Sequence, residues 1–273
     1  MIRKWLQVLG VGLGLLLAGC ESVLTTNSGS IGVEREQTMF VLLSPERVHS
    51  MASGAYLEAL DQAQGEQLLN RRPYEVQRLH QIASRLVAHV GVFRPDARHW
   101  EWEVNLIDDP QLNAYCMPGG KIMFYSGIID TLSLTDDEIA AIMGHEMAHA
   151  LREHGREVMS QAYALLLGEL ALSVVFDVDP DLINIGSIVV NYALTLPNSR
   201  TNETEADLIG LELMARAGYD PEAAISLWQK MSAQAGQSTP EFLSTHPAHD
   251  TRISGLKANL AKVDPLYRRA LSR

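Results

Sequence analysis

Residues 135–151 read Thr-Asp-Asp-Glu-Ile-Ala-Ala-Ile-Met-Gly-His-Glu-Met-Ala-His-Ala-Leu, and this stretch decides the fold. Thr135 with Glu138 three residues on is a capping box, and Asp136, Asp137 and Glu138 place negative charge where a helix N-terminus favours it. Ile139, Ala140, Ile142, Met143, Met147, Ala148 and Ala150 then leave almost no polar face, so the helix is a buried one. Into it are set His145, Glu146 and His149. A spacing of four stacks the two imidazoles on one face, with Cβ atoms about 5–6 Å apart, as two ligands of one tetrahedral metal ion require. Glu146 lies about 100° round the helix, where its carboxylate reaches a water on the metal instead of the metal itself. Such a metal acidifies the water, the carboxylate takes its proton, and the hydroxide attacks a carbonyl. Two histidines and a glutamate inside a buried helix need a partner to offset desolvation, and a metal is one.

A third ligand has to come from elsewhere. Three and six residues after His149 stand Arg152 and Gly155, which excludes the extended motif with Gly and a third His at those positions. His154 falls on another face and is expected at the surface. Asn202-Glu203-Thr204-Glu205-Ala206-Asp207 opens a later helix, in which Glu203 and Asp207 share a face and Glu205 points away. Glu203 is the expected third ligand, with Asp207 as acceptor for the N–H of a ligating histidine. One Zn2+ per chain is the cofactor this set implies.

Outward from these motifs the chain reads as α+β, mostly helical with a small sheet of about three strands. Ser44-Pro45-Glu46 opens a helix to about Gln64, and a second runs from Pro73 to about Val90 with Val76, Leu79, Ile82, Ala83 and Leu86 at helical spacing. Trp100, Trp102, Val104 and Leu106 alternate as in a half-buried strand. Leu112–Cys116 and Lys121–Tyr125 flank the turn signal Met117-Pro118-Gly119-Gly120. Helices follow over about 200–217, from Asp220-Pro221 to about Ala235, and over 251–263, with 241–250 as a loop. The apolar stretches 164–176 and 182–196 are each shorter than a membrane span, and Glu169 interrupts the first. They read as core helices, as a flap over the cleft, or as a membrane-contacting hairpin.

With 273 residues and 47% hydrophobic content the chain supports one large domain, and a net charge of -11 with pI about 5.3 argues against a nucleic-acid surface. Arg3 and Lys4 precede an apolar run from Val8 to Ala18, and Leu17-Ala18-Gly19-Cys20 closes it with small residues before a cysteine. That pattern reads as a signal peptide over 1–19 ending in a lipobox, with diacylglycerol attached to Cys20. The expected organisation is therefore a lipidated tether over 20–38 and a catalytic domain over 39–273. Glu21 after the cysteine points to the periplasmic face of an outer membrane. Cys116, the one other cysteine, reads as a small buried hydrophobe.

His-Glu-x-x-His followed about fifty residues later by Glu-x-x-x-Asp resembles the CAAX-prenyl-protease and HtpX type of zinc metallopeptidases. Asn113-Ala114 with Pro118-Gly119-Gly120 and Tyr125-Ser126-Gly127, Ser199-Arg200, and Ser244-Thr245-His246-Pro247 with Arg252-Ile253 match further segments of that family, over about residues 70–260. The lipobox places the chain with its soluble branch, similar to LoiP and to the catalytic part of mitochondrial Oma. Tyr115 and Cys116 depart from the family's usual strand sequence, and no tetratricopeptide region follows. The resemblance implies a zincin-type endopeptidase acting on extended protein or peptide segments, with misfolded or misassembled envelope proteins as substrates. It implies that the strand at Asn113 and Ala114 pairs with the substrate and that His246 and Arg252 approach the metal. His246 would then stabilise an oxyanion or fill the open metal position, and Arg252 would hold the oxyanion or Glu203. The rival reading is a chaperone-like or binding lipoprotein whose metal is structural, against which the general base Glu146 argues.

Overall fold

The computed structural model describes residues 19–163, 198–235, 241–247 and 250–272. The leader before Gly19 and both apolar stretches, 164–176 and 182–196, lie outside the described residues. Two strands, β1 (Cys20–Val23) and β2 (Gln37–Phe40), form an antiparallel ribbon, and β3 (Glu103–Ile107), β4 (Ala114–Met117) and β5 (Lys121–Tyr125) form a second sheet. The helices are α1 (Pro45–Gly65), α2 (Pro73–Val87), α3 (Ser126–Thr131), α4 (Asp136–Leu151), α5 (described over 154–163), α6 (Arg200–Arg216), α7 (Ala223–Ala235), α8 (Glu241–Thr245) and α9 (Asp250–Leu271). The class is the expected α+β, mainly helical.

Helix α4 is the axis of the core. Its capping box is formed in both directions, Thr135 accepting from Glu138 N and Glu138 Oε2 accepting from Thr135 N at 2.9 Å, and every residue from Glu138 to Leu151 is buried. Burying Ile139, Ile142, Met143, Met147 and Leu151, all 0% exposed, contributes about 1.5–3 kcal/mol each. Ser199 caps α6 by accepting from Asn202 N at 3.1 Å. Helices α4 and α6 approach at Gly144 and Gly210: a Cβ on Gly210 would stand 2.8 Å from His145 N, and one on Gly144 would stand 3.1 Å from Gly210 O. Two glycines thus let the backbones come together and bring Glu203 and Asp207 to the histidines. Gly210→Ala is expected to destabilise the protein by about 1–3 kcal/mol and to weaken zinc binding with it. Thermal unfolding with and without zinc checks this, and a wild-type melting profile would show that the helices do not need this contact.

In the larger sheet the order is β3-β5-β4, with β3 parallel and β4 antiparallel to β5. Strand β4 is therefore an edge. Gly119 and Gly120, at φ 86° and 87°, make the β4–β5 turn in a backbone region that other residues rarely adopt. Tyr56 of α1 fixes that helix over the sheet by donating to Ile122 O at 2.9 Å.

Three expectations are corrected. The segment expected to be a tether, 20–38, is ordered: it forms β1, a strap over 24–36 and the start of β2. Ile31 and Val33 of the strap are in the core, and Glu212 of α6 accepts from Ser30 N at 3.1 Å and Ile31 N at 2.7 Å. Its Ser, Thr, Asn and Gly content belongs to turns and buried polar contacts, not to a flexible linker. The stretch 241–250, read as a loop, holds α8, because Phe242 is fully buried and donates its N–H to Leu112 O at 3.0 Å. The last helix runs to Leu271, through Pro265, because Val263 is in the core with Leu266 and Tyr267 packed against it.

Candidate active site

Helix α4 presents His145, Glu146 and His149 to α6, α8 and the start of α9. His145 Nε2 lies 3.1 Å from His149 Nε2 and 3.5 Å from Glu203 Oε2, while His149 Nε2 lies 3.3 Å from Glu203 Oε1. With His246 these atoms fall within 4.8 Å of one another, the one such group among the described residues. Ligands of a tetrahedral Zn2+ at about 2.0–2.2 Å stand roughly 3.3–3.5 Å apart, so the spacing fits zinc. The donors fit as well. Both carboxylate oxygens of Glu203 are buried without a hydrogen-bond partner, as is Glu146 Oε1, and buried carboxylates in that state call for a cation.

The supports behind these atoms are polar and buried. Asp207 Oδ1 lies 3.1 Å from His145 Nδ1, which turns Nε2 towards the cluster. Arg252 donates to Asp207 from Nε at 2.7 Å and from Nη2 at 2.6 Å, stacks 3.5 Å over the Trp228 ring, and brings Nη1 within 2.6 Å of Glu203 Oε2. That last approach is off the hydrogen-bond direction, so charge links the pair. Arg252 sits beneath the ligands and does not line the cleft. Of the two roles expected for Arg252, at the oxyanion or at Glu203, its position beside Glu203 and Asp207 agrees with the second.

Burial sets most of the electrostatics. It pushes Glu146 up to about 8, with His145, Arg252 and a backbone hydrogen bond from Cys116 working the other way. At His145 burial favours the neutral ring, but Asp207 and Glu203 outweigh it and raise the imidazole to about 9; at His149 burial wins and lowers it. Burial lowers His246 to about 4. Glu203, although buried, is held well below the usual carboxylate range by His246, His145 and His149. Without metal the Asp207 and Glu203 carboxylates keep a proton on His145, which zinc would displace on binding.

His246 follows α8, 6% exposed, with its ring stacked on Phe242 at 4.5 Å and Nε2 at 3.4 Å from Glu146 Oε1. Asn113 and Ala114 stand at the head of edge strand β4 and line a cleft of about 330 Å³ whose floor holds Glu146 and His149. Met51, Ala52, Ala55 and Ala59 of α1 form the facing wall. Cys116 is buried, and Cys20 is exposed in β1.

His154 is where sequence reasoning failed. Expected at the surface, it is 0% exposed, with Nδ1 at 2.9 Å from His149 Nδ1 and Nε2 at 3.1 Å from Glu205 Oε2. Glu205 does point away from the cluster, but towards buried Arg152 and half-buried Arg35. The five-residue spacing puts His154 on another face only of a continuous helix, and α4 ends at Leu151. Glu153, at φ 54°, turns the chain and swings His154 back under His149.

Two imidazoles and a carboxylate on one helix, with a second carboxylate from another, are the side chains found in the active sites of zinc-dependent metallopeptidases. The profile of peptidase family M48 matches residues 73–260. The mitochondrial metalloendopeptidase OMA1 of Saccharomyces cerevisiae is 31% identical over 267 residues, covering 93% of this chain and 75% of that protein. OMA1 of Schizosaccharomyces pombe is 34% identical over 205 residues, 74% of this chain and 58% of that protein. The beta-barrel assembly-enhancing protease of Escherichia coli is 24% identical over 214 residues, 75% of this chain and 43% of that protein. The chain belongs to peptidase family M48.

Proposed function

We propose that the chain hydrolyses internal peptide bonds of proteins presented as extended segments, with His145, His149 and Glu203 holding zinc and Glu146 as general base. The carrying observation is Glu146 Oε1, buried and without a hydrogen-bond partner at the floor of the cleft. Zinc, when bound, supplies a Lewis acid that lowers the pKa of water and polarises a carbonyl. The chain's residues do the rest. Glu146 takes a proton from water and delivers it to the departing amine. Edge strand β4 offers backbone groups to an extended substrate from Asn113 and Ala114 onwards, so that the peptide lies across the floor as an added strand. The facing wall is apolar, and no Lys or Arg lines the cleft among the described residues. Apolar segments fit it, as exposed by misfolded or misassembled proteins. That wall comes from α1, outside the residues matched to the family.

His246 supplies a fourth donor atom, a nitrogen, beside the three ligands. Its lowered proton affinity leaves it neutral and able to occupy the open zinc position, which would keep the enzyme latent until substrate moves α8 and the turn after it. His246→Ala is expected to raise basal cleavage of an unfolded substrate. If the residue instead stabilises the oxyanion, the variant loses about 10²–10³-fold, so the sign of the change separates the two roles.

The location we propose is the cell envelope, with the chain anchored through lipid on Cys20 to the periplasmic face of the outer membrane. The lipobox sequence supports it, as does the similarity to beta-barrel assembly-enhancing proteases of Escherichia coli and Yersinia pestis. The OMA1 relatives are mitochondrial by name. Among the described residues no helix is long and apolar enough to cross a membrane. Cys20→Ser is expected to move the protein from the membrane pellet to the soluble fraction if the acyl chains carry the membrane affinity. Continued sedimentation with membranes would count against lipid anchoring.

A further inference from the structure

We propose that His154 is a positioning residue that fixes the tautomer and ring orientation of His149, and that the N-terminal strap holds His154 in place through Glu205. The inference rests on His149 being a zinc ligand, as argued above.

With His154 neutral, the hydrogen bonds have one consistent direction. Glu205 accepts from Arg152 Nε at 3.0 Å and Nη2 at 2.9 Å, and from Arg35 Nε at 2.6 Å. Two guanidinium groups hold it as a carboxylate, which only accepts. The nitrogen facing it, His154 Nε2 at 3.1 Å, must then carry the hydrogen. A neutral imidazole with its hydrogen on Nε2 has a lone pair on Nδ1. At 2.9 Å from that lone pair, His149 Nδ1 must be the donor. The lone pair of His149 is thereby left on Nε2, the atom that faces His145 and Glu203. The relay selects the ligating tautomer before any metal arrives.

The two histidine ligands are thus supported differently. His145 has the Asp207 carboxylate in direct contact. Behind His149 a second carboxylate would add another buried negative charge close to Glu146 and Glu203. His154 passes the hydrogen bond on without bringing charge to the ligand, and the carboxylate one step further back is neutralised by arginine.

The strap closes the relay. Arg152, 0% exposed, donates through Nη1 to Thr25 and Thr26 Oγ1 at 3.3 and 3.2 Å and through Nη2 to Arg35 O at 2.8 Å. Arg35 also pairs with Glu157 of α5 at 2.6 Å. These strap residues lie outside the family match at 73–260 and brace the rear of the metal site from the N-terminal side.

Three variants of the full chain test the proposal: His154→Asn, His154→Gln and His149→Ala. Asparagine places an oxygen acceptor near the position of Nδ1, whereas glutamine reaches Glu205 but leaves nothing at that position. Zinc affinity is read by competition with a chromogenic chelator, the fold by circular dichroism, and the His149 tautomer by 15N NMR of the metal-free protein. His154→Gln is expected to lower zinc affinity by about 10–100-fold and to lose the single signal of a protonated Nδ1 on His149. His154→Asn is expected to stay within a few-fold of wild type and keep that signal. Wild-type affinity and tautomer in His154→Gln would overturn the proposal, as would equal losses in folded Asn and Gln variants. Undiminished zinc binding by His149→Ala would instead overturn the ligand assignment on which it rests.

Discussion

Replacing Glu146 by glutamine is expected to leave zinc bound and the fold intact while lowering kcat/KM on an unfolded protein substrate by about 10²–10⁴-fold. Glu146 is not among the residues whose donor atoms cluster around the zinc position, so the metal loses no ligand. Its side chain is an amide in the variant and cannot take a proton from water. Glutamine has nearly the same volume, and the carboxylate it replaces has one oxygen with no hydrogen-bond partner. Burial already makes the charged carboxylate costly here, raising it to about 8, so removing the charge does not cost stability. A large loss of rate with unchanged melting temperature and zinc content is the signature of a base. Near wild-type cleavage would remove Glu146 from the chemistry.

Glu203→Ala is expected to have the opposite profile, with zinc affinity falling by more than the ~10–100-fold typical of a supporting partner. Both of its oxygens face the two histidines, and among the described residues no other carboxylate joins them in the cluster. The substitution also strips Arg252 of one of its two anions, leaving Asp207 to hold it. Metal-free variant and metal-free wild type should therefore be compared for stability as well as zinc content. Glu205→Ala separates position from charge. Glu205 is joined to the metal site only through His154 and His149, so its loss should weaken zinc binding less than loss of Glu203. Equal zinc content in purified Glu203→Ala and wild type would sink the third-ligand assignment.

Much of this architecture is written in local patterns. The capping box at Thr135, the apolar flanks of α4 and the spacings of four in His145/His149 and Glu203/Asp207 are all helical periodicity, which sequence displays directly. Alternation around Val104 and Leu106 and the paired glycines after Met117 likewise mark the sheet and its turn. What escaped depends on contacts between distant segments. The strap lacks any run of apolar residues, and its order comes from Glu212 and Arg152, more than a hundred residues away. His154 is hidden because a single left-handed residue, Glu153, breaks the helical phase on which the surface assignment relied. Arg252 could be placed near the metal but not beneath it, since its direction is set by Asp207 and the Trp228 ring.

The central claim is that one zinc ion, held by His145, His149 and Glu203, makes this chain a peptidase. Titrating metal-free protein with zinc while following both binding and cleavage of an unfolded substrate tests it most directly. Binding and activity are predicted to rise together and to level off at one equivalent per chain, with zinc raising the melting temperature over the same range. Full cleavage by the metal-free protein would contradict the account, as would one tightly bound zinc with no hydrolysis by either wild type or His246→Ala.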